Sequence, residues 1–203
     1  RAASDTPWQH LNVRCRRIDM PGDRLGAWLH VRLPLAALLD RVDLLHFPAN
    51  AAPAWCPVPF VLTVHDLIPL KLPDGISPRR RHAFECGLRR GVARAAHIIT
   101  VSQATRADLH RDFGVPLERM TVIPWAPDTR IAATATQARS GAVLSQVRTK
   151  YGLAERWLLT FSGGDTRKNA RGVLEGFAHL APGVRRGIQV VLVGCEPADY
   201  RAR

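Results

Sequence analysis

A loop at residues 162–168 reads SGGDTRK and combines two glycines with two adjacent cations. Gly163 and Gly164 let a ligand approach the backbone closely, and the helix predicted after the loop offers free N–H groups and a positive dipole end. Arg167 and Lys168 add formal charge at the same place, which suits a diphosphate. The spacing fits neither a P-loop nor the G-x-G-x-x-G pattern. A tight turn with solvated charges is the alternative.

A histidine and an aspartate, His65 and Asp66, follow the β-branched apolar run Phe60–Val64. Ligands of open α/β sheets bind beyond the carboxyl ends of the strands, so we predict both residues as catalytic. An imidazole there can donate to a sugar hydroxyl or a phosphate oxygen, or transfer a proton. Two alternatives stay open. The histidine satisfies a loop carbonyl, or the pair binds a metal, for which no second cluster of ligands is present.

The elements that must position these residues follow from the hydrophobic pattern. Short apolar runs alternate with helix-period stretches, which predicts an α/β fold with parallel sheets. The predicted strands are 11–18, 43–47, 60–64, 97–101, 120–123, 157–161 and 188–193. The predicted helices are 24–39, 77–95, 102–113, 143–151 and one that starts at 169. Ser77, Ser102 and Asn169 are the predicted N-caps, and Gly114 ends a helix. The strand-end rule also selects residues 46–50 and Ser102 as ligand sites.

An Ala-, Thr- and Ser-rich stretch without apolar period separates two groups of strands. We therefore expect a partial N-terminal domain at 1–127, a linker with a short helix at 128–150, and the start of a second domain at 151–203. The second domain has two predicted strands and one clear helix, fewer than a complete domain needs. This organisation predicts a chain truncated from a longer one.

The net charge of +12 is unusual for 203 residues, and only three of the 29 basic residues are lysine. A positive field favours anionic partners. Nucleic acid is not expected, because no basic stripe interleaves with aromatic residues and no reader motif is present. Arg79, Arg89 and Arg90 lie on one face of the predicted helix 77–95. They can face an acidic membrane surface, although a solvated face is the commoner reason for such a pattern.

The four cysteines, Cys15, Cys56, Cys86 and Cys195, lack the close spacing of a zinc site or a disulfide framework. Free thiols in a reducing cytoplasm are expected. No apolar run approaches the roughly 20 residues that span a bilayer, and no signal-peptide pattern precedes the first predicted strand. We therefore expect a cytoplasmic protein that can contact the membrane peripherally.

Five segments in order carry a resemblance to a known family: DLLHF, PFVLTVHDLIPL, ARAAHIITVSQATRADLHRDFGV, MTVIPWAPD and LLTFSGGDTRKNARGVLEGFA. From about residue 11 onward, the chain resembles the family 4 retaining glycosyltransferases of GT-B fold. The resemblance implies two Rossmann-like domains and transfer of a sugar from a nucleotide diphosphate sugar with retention of anomeric configuration. It also implies a bacterial, mannosyltransferase-like enzyme of cell-surface polysaccharide or lipopolysaccharide synthesis. GDP-mannose is the first choice of donor.

The resemblance assigns roles residue by residue. His65 matches the family's histidine near the transferred sugar, and Ser102 with Thr105 matches the polar start of a helix. Gly163 and Gly164 match the glycine turn near the nucleotide diphosphate. The following Arg167 and Lys168 match the basic pair that binds and stabilises the leaving diphosphate. No metal cofactor is expected, because the basic pair takes the place of a divalent cation.

Three departures qualify the resemblance. The family's Gly-rich loop after its first strand is absent, and no Glu-x7-Glu motif follows Gly194. The usual PNGVD at the domain junction reads PWAPD at 124–128. Two hypotheses follow. The chain is a glycosyltransferase or a fragment of one, inactive by itself without the Glu-x7-Glu region, or it is a catalytically dead remnant that acts as a basic binding module.

Overall fold

The computed structural model describes residues 26–72, 76–128, 131, 134–136, 141–162 and 165–194. The chain divides into two compact units, unit 1 (residues 1–124) and unit 2 (residues 125–203). Several predictions lie outside the described residues: the strand at 11–18, the pair Gly163 and Gly164, and the thiols Cys15 and Cys195. The prediction of an α/β protein with parallel sheets is confirmed.

In its described residues, unit 1 contains a four-stranded parallel sheet in the order β1–β2–β3–β4. The strands are β1 (Leu45–Phe47), β2 (Phe60–Val64), β3 (His97–Thr100) and β4 (Met120–Val122). In β2, Phe60, Leu62, Thr63 and Val64 are buried, as expected for a strand inside a sheet that is covered on both faces. Because all four strands are parallel, their carboxyl ends meet at one edge of the sheet.

Helices alternate with these strands. A π-helical turn (Trp28–Arg32) leads into α1 (Leu33–Leu39); α2 (Ile68–Lys71), α3 (Pro78–Arg94), α4 (Gln103–Phe113) and a 3-10 turn (Leu117–Arg119) follow. The predicted caps are confirmed. Ser77 Oγ accepts from the backbone N of Arg80 at 3.4 Å, and Ser102 Oγ accepts from the backbone N of Thr105 at 3.1 Å. Gly114 ends α4 with φ of +66°.

The core of unit 1 lies between its sheet and its helices. It consists of Phe47, Phe60, Leu62, Val64, Leu67, Leu88, Val92, Ala95, Ile98, Leu109, Val115 and Met120. Helix α3 approaches β2 closely at Gly91, where an added Cβ would lie 3.1 Å from Leu62 Cδ2. Leu62 is fully buried. This close contact sets the distance between helix α3 and strand β2, and so helps to position the carboxyl end of β2.

One arginine of α3, Arg89, contacts two neighbouring side chains on the helix surface. The guanidinium carbon of Arg89 lies 5.0 Å from the centre of the Phe113 ring on α4, and Nη2 is 3.3 Å from Glu85 Oε1. The ring of α4 attracts the cation, but the side chain of Arg89 stays 57% exposed, as expected for a solvated face. Arg79 and Arg90 are exposed, as expected.

The described part of unit 2 contains two parallel strands, β5 (Arg156–Phe161) and β6 (Ile188–Val193). Its helices are α5 (Ala142–Tyr151), α6 (Ala170–His179) and α7 (Pro182–Arg185), with a 3-10 turn at Thr166–Lys168. The predicted cap of α6 is confirmed, because Asn169 Oδ1 accepts from the backbone N of Gly172 at 3.1 Å. In the stretch predicted as a linker, the described residues 131 and 134–136 are helical.

Candidate active site

His65 begins the loop after β2, and three neighbouring groups hold it. Its ring Nε2 lies 2.6 Å from the carbonyl oxygen of Pro48. Its backbone N donates to Asn50 Oδ1 at 2.7 Å, and its backbone O accepts from Thr105 Oγ1 at 3.0 Å. A carbonyl oxygen only accepts hydrogen bonds, so Nε2 carries a proton and donates it to Pro48 O. The ring therefore bonds to a loop carbonyl through Nε2, as the alternative interpretation of this histidine predicted.

Asp66 lies at the same edge of the sheet. Its Oδ1 accepts from the backbone N of Ile68 at 3.0 Å, at the start of α2, and its backbone O accepts from Asn50 Nδ2 at 3.1 Å. The carboxylate thus serves the first turn of a short helix, a common use of aspartate in loops. Its catalytic role stays a prediction.

Ser102 begins α4 beside His65. Its Oγ lies 3.0 Å from Thr105 Oγ1, and Thr105 is buried. A chain of hydrogen bonds therefore runs from Ser102 through Thr105 to the backbone of His65. The structure brings His65, Asp66 and Ser102 together at the carboxyl edge of one sheet, whereas a ligand-binding role for Ser102 stays a prediction.

An ion-pair cluster connects the helix after His65 to α4. Asp108 Oδ1 pairs with Lys71 Nζ at the end of α2, and with Arg111 Nη2 at 2.7 Å. The hydrogen bond from Lys71 is the largest cause that lowers the pKa of the Asp108 carboxyl, helped by Arg111 and opposed by burial. The cluster holds the segment that follows the candidate catalytic residues against α4.

Replacing Asp108 with asparagine should lower the free energy of unfolding by about 1 kcal/mol at neutral pH, since both cationic partners are largely exposed. Because the folded state lowers this pKa, the contribution is complete above the ordinary value of 3.8 and is lost as the pH falls through the lowered folded value. Urea unfolding of D108N should therefore show less acid sensitivity than the wild type. Asp43→Asn, at an exposed site, is the control. Equal pH profiles for D108N and the wild type would contradict the prediction.

The two cations of the basic loop lie in unit 2 and differ in their surroundings. Arg167 Nε donates to Asp165 Oδ1 at 3.0 Å, and Arg167 Nη2 pairs with Asp165 Oδ2. These bonds, and to a smaller degree the charge of Lys168, lower the pKa of Asp165. Lys168 is exposed and precedes Asn169, the cap of α6. The two glycines of the loop lie outside the described residues.

Sequence reasoning missed the role of Asn50. It had selected residues 46–50 as one place for a ligand, without seeing that the Asn50 side chain bonds to the next strand end. The signal available in the sequence was the position of Asn50, a carboxamide side chain just after a predicted strand that ends at a proline. Among the described residues, no group of three or more His, Cys, Asp or Glu side chains is placed to hold a metal ion.

The sequence model for Glycosyltransferase Family 4 matches residues 2–130. The chain belongs to this family. As a family 4 glycosyltransferase domain, it carries a sugar-transfer function that needs a sugar donor and an acceptor, and its parallel α/β fold agrees with the Rossmann-like architecture of GT-B proteins. The matched range includes His65, Asp66 and Ser102, whereas the loop 162–168 lies beyond it.

Two further findings accompany the family match. No curated protein matches the glycosyltransferase sequence. Within the described parts of the chain, no helix combines the length and the hydropathy that a membrane span requires.

Proposed function

We propose that the protein transfers a sugar from a nucleotide diphosphate sugar to a glycan or lipid-linked acceptor, with retention of configuration. The observation that carries the proposal is the family match over the unit in which His65 is held at the carboxyl edge of a parallel sheet. GDP-mannose is the first donor to test. The pathway would be bacterial cell-surface polysaccharide synthesis in the cytoplasm, since a charged diphosphate does not cross a hydrocarbon layer unaided.

The proposed reaction breaks the bond between the anomeric carbon and the diphosphate oxygen, and the electron pair leaves with the diphosphate. That oxygen takes the proton of the acceptor hydroxyl, which attacks the same face of the sugar. Lys168 and Arg167, which follow Gly163 and Gly164 in the sequence, would stabilise the leaving charge. Because Asp165 already pairs with Arg167, we assign the larger share of this stabilisation to Lys168.

His65 would orient the donor sugar. His65→Ala should therefore lower kcat/KM for sugar transfer about tenfold, the value of one hydrogen bond in a transition state. His82→Ala, at an exposed position of α3, is the control and should leave the rate unchanged. The assay measures product formation from GDP-mannose and then from other sugar nucleotides, and NMR of the product gives its anomeric configuration. An inverted product would overturn retention, and an unaffected H65A would overturn the role of His65.

Contact with an anionic membrane surface is a further part of the proposal, and the exposed arginines at 79–81 support it. Replacing all three with alanine should weaken binding to phosphatidylglycerol vesicles about 100-fold, because each basic residue contributes about 1 kcal/mol near anionic lipid. Replacing the exposed Arg156, Arg185 and Arg186 changes the charge equally and serves as control. Vesicle sedimentation measures both. If both triple variants lost the same vesicle affinity, the effect would come from net charge and not from the position of the arginines at 79–81.

A basic binding module without catalysis is the second candidate, favoured by the net charge of +12. The two candidates differ in turnover. A binding module would neither transfer nor hydrolyse any sugar nucleotide at any concentration, whereas the proposed enzyme releases a nucleoside diphosphate with each transfer.

A further inference from the structure

A histidine and a cysteine lie one turn apart on the outer side of α3. Nε2 of His82 lies 3.4 Å from Sγ of Cys86, and His82 is exposed while Cys86 is half-buried. Side chains four positions apart lie on the same side of a helix. The buried residues of α3, Leu88, Gly91 and Val92, lie on the other side. The pair is therefore not part of the packing between α3 and the sheet.

The separation of these two atoms matches that of two ligands on one zinc ion. With Zn–S of about 2.3 Å, Zn–N of about 2.0 Å and a tetrahedral angle between them, sulfur and nitrogen lie about 3.5 Å apart. The observed distance from His82 Nε2 to Cys86 Sγ is 3.4 Å. Without a metal, the thiol proton can bridge the two atoms, and a bound metal ion takes the place of that proton.

We propose that His82 and Cys86 form a two-ligand site for a soft divalent cation, with zinc as the expected ion. Thiolate and imidazole ligands favour zinc over magnesium and calcium, which prefer oxygen ligands. Binding forms one bond to Sγ and one to Nε2, and it releases the thiol proton to solvent. Spacing among the cysteines alone does not reveal this site, because its second ligand is a histidine. The proposal is independent of the proposed function.

The surroundings of the pair determine what completes the coordination. A tetrahedral ion on two protein ligands keeps two further positions. A cavity of about 300 Å³ borders His82 and is also lined by Ile76, Pro78, Arg81 and Glu85. The exposed arginines at 79, 89 and 90 lie on the same helix, so a second copy of α3 would bring like charges together. We therefore expect one metal ion per chain, with water or a small anion in the two remaining positions.

The first test uses Co²⁺ as an optical substitute for zinc, in the full chain with the substitutions Cys15→Ser and Cys195→Ser. A sulfur-to-cobalt charge-transfer band should appear and saturate at one metal ion per chain. Cys86→Ser should abolish the band. His82→Ala should weaken binding about 100-fold, because even groups that only support a metal ligand contribute up to that much. Cys56→Ser, which removes the other thiol among the described residues, is the control and should leave the titration unchanged.

Three results of the cobalt titration would overturn the proposal. The first is the absence of the band from the parent chain or its survival in C86S. The second is unchanged affinity in H82A, which would leave the cysteine without its partner ligand. The third is saturation at one metal ion per two chains, because a bridge between copies is a different site from the one proposed.

The second test needs no substitution and so does not depend on how the variants fold. In the full wild-type chain, zinc should slow the alkylation of Cys86 by iodoacetamide about tenfold, because the metal holds the sulfur that must attack. Mass spectrometry measures each thiol separately, and Cys56, which packs against the core of unit 1, serves as internal control. Magnesium at the same concentration should protect neither thiol. Equal alkylation of Cys86 with and without zinc would overturn the proposal.

Discussion

Lys168→Ala should weaken the binding of a nucleoside diphosphate about 100-fold, close to 2.7 kcal/mol, because a charge-assisted hydrogen bond to the diphosphate is lost. Lys168 is exposed in the 3-10 turn that precedes α6, and its partner in the loop, Arg167, is already paired with Asp165. The remaining cation therefore cannot fully replace it. Isothermal calorimetry with GDP, and then with UDP, measures the change.

Lys150→Ala is the matched control for this prediction. It removes the same charge from unit 2, at a position on α5 where Nζ lies 5.2 Å from the centre of the Tyr151 ring. A long-range effect of net charge would weaken binding equally in both variants and would depend on salt. Unchanged affinity of K168A for the nucleoside diphosphate would show that Lys168 does not bind the diphosphate.

Leu62→Ala should lower the free energy of unfolding of unit 1 by about 3 kcal/mol, through lost burial and the cavity left behind. Leu62 is fully buried in the second strand of the sheet, beside Phe47 on β1 and Ile98 on β3. On its other side it contacts Gly91 of α3. Urea unfolding measures this loss of stability. Because His65 lies three residues after Leu62, the same substitution also weakens the support of His65.

Leu39→Ala provides the comparison, because the side chain of Leu39 is 75% exposed and its truncation leaves no cavity. Its cost should stay within about 0.5 kcal/mol. Similar losses in the two variants would show that the close contact between α3 and β2 does not support the core.

Local elements of the fold were predictable because their signals lie within a few residues. Strands β2 and β6 have the predicted bounds, since apolar, β-branched runs enclosed by breakers favour buried strands. Ser77, Ser102 and Asn169 cap their helices because a short polar side chain reaches the N–H group three residues on. The family could be recognised for the same reason, as its motifs are contiguous segments.

Contacts between distant segments were not predictable in this way. The carboxamide of Asn50 reaches His65 across 15 residues, and Arg89 lies over Phe113 on another helix. Each pairing depends on the spacing and rotation of packed elements. The hydrophobic periodicity of a single segment does not reveal either of them.

The sequence by itself determined the class of the fold, the order of its elements and the residue types at each strand end. Those properties follow from local hydrophobic period and backbone chemistry, which act over one or two turns of chain. The tertiary structure decided which donor meets which acceptor. It gave His65 its three hydrogen-bond partners, because only packing β1, β2 and α4 together brings Pro48, Asn50 and Thr105 within hydrogen-bond distance of one residue.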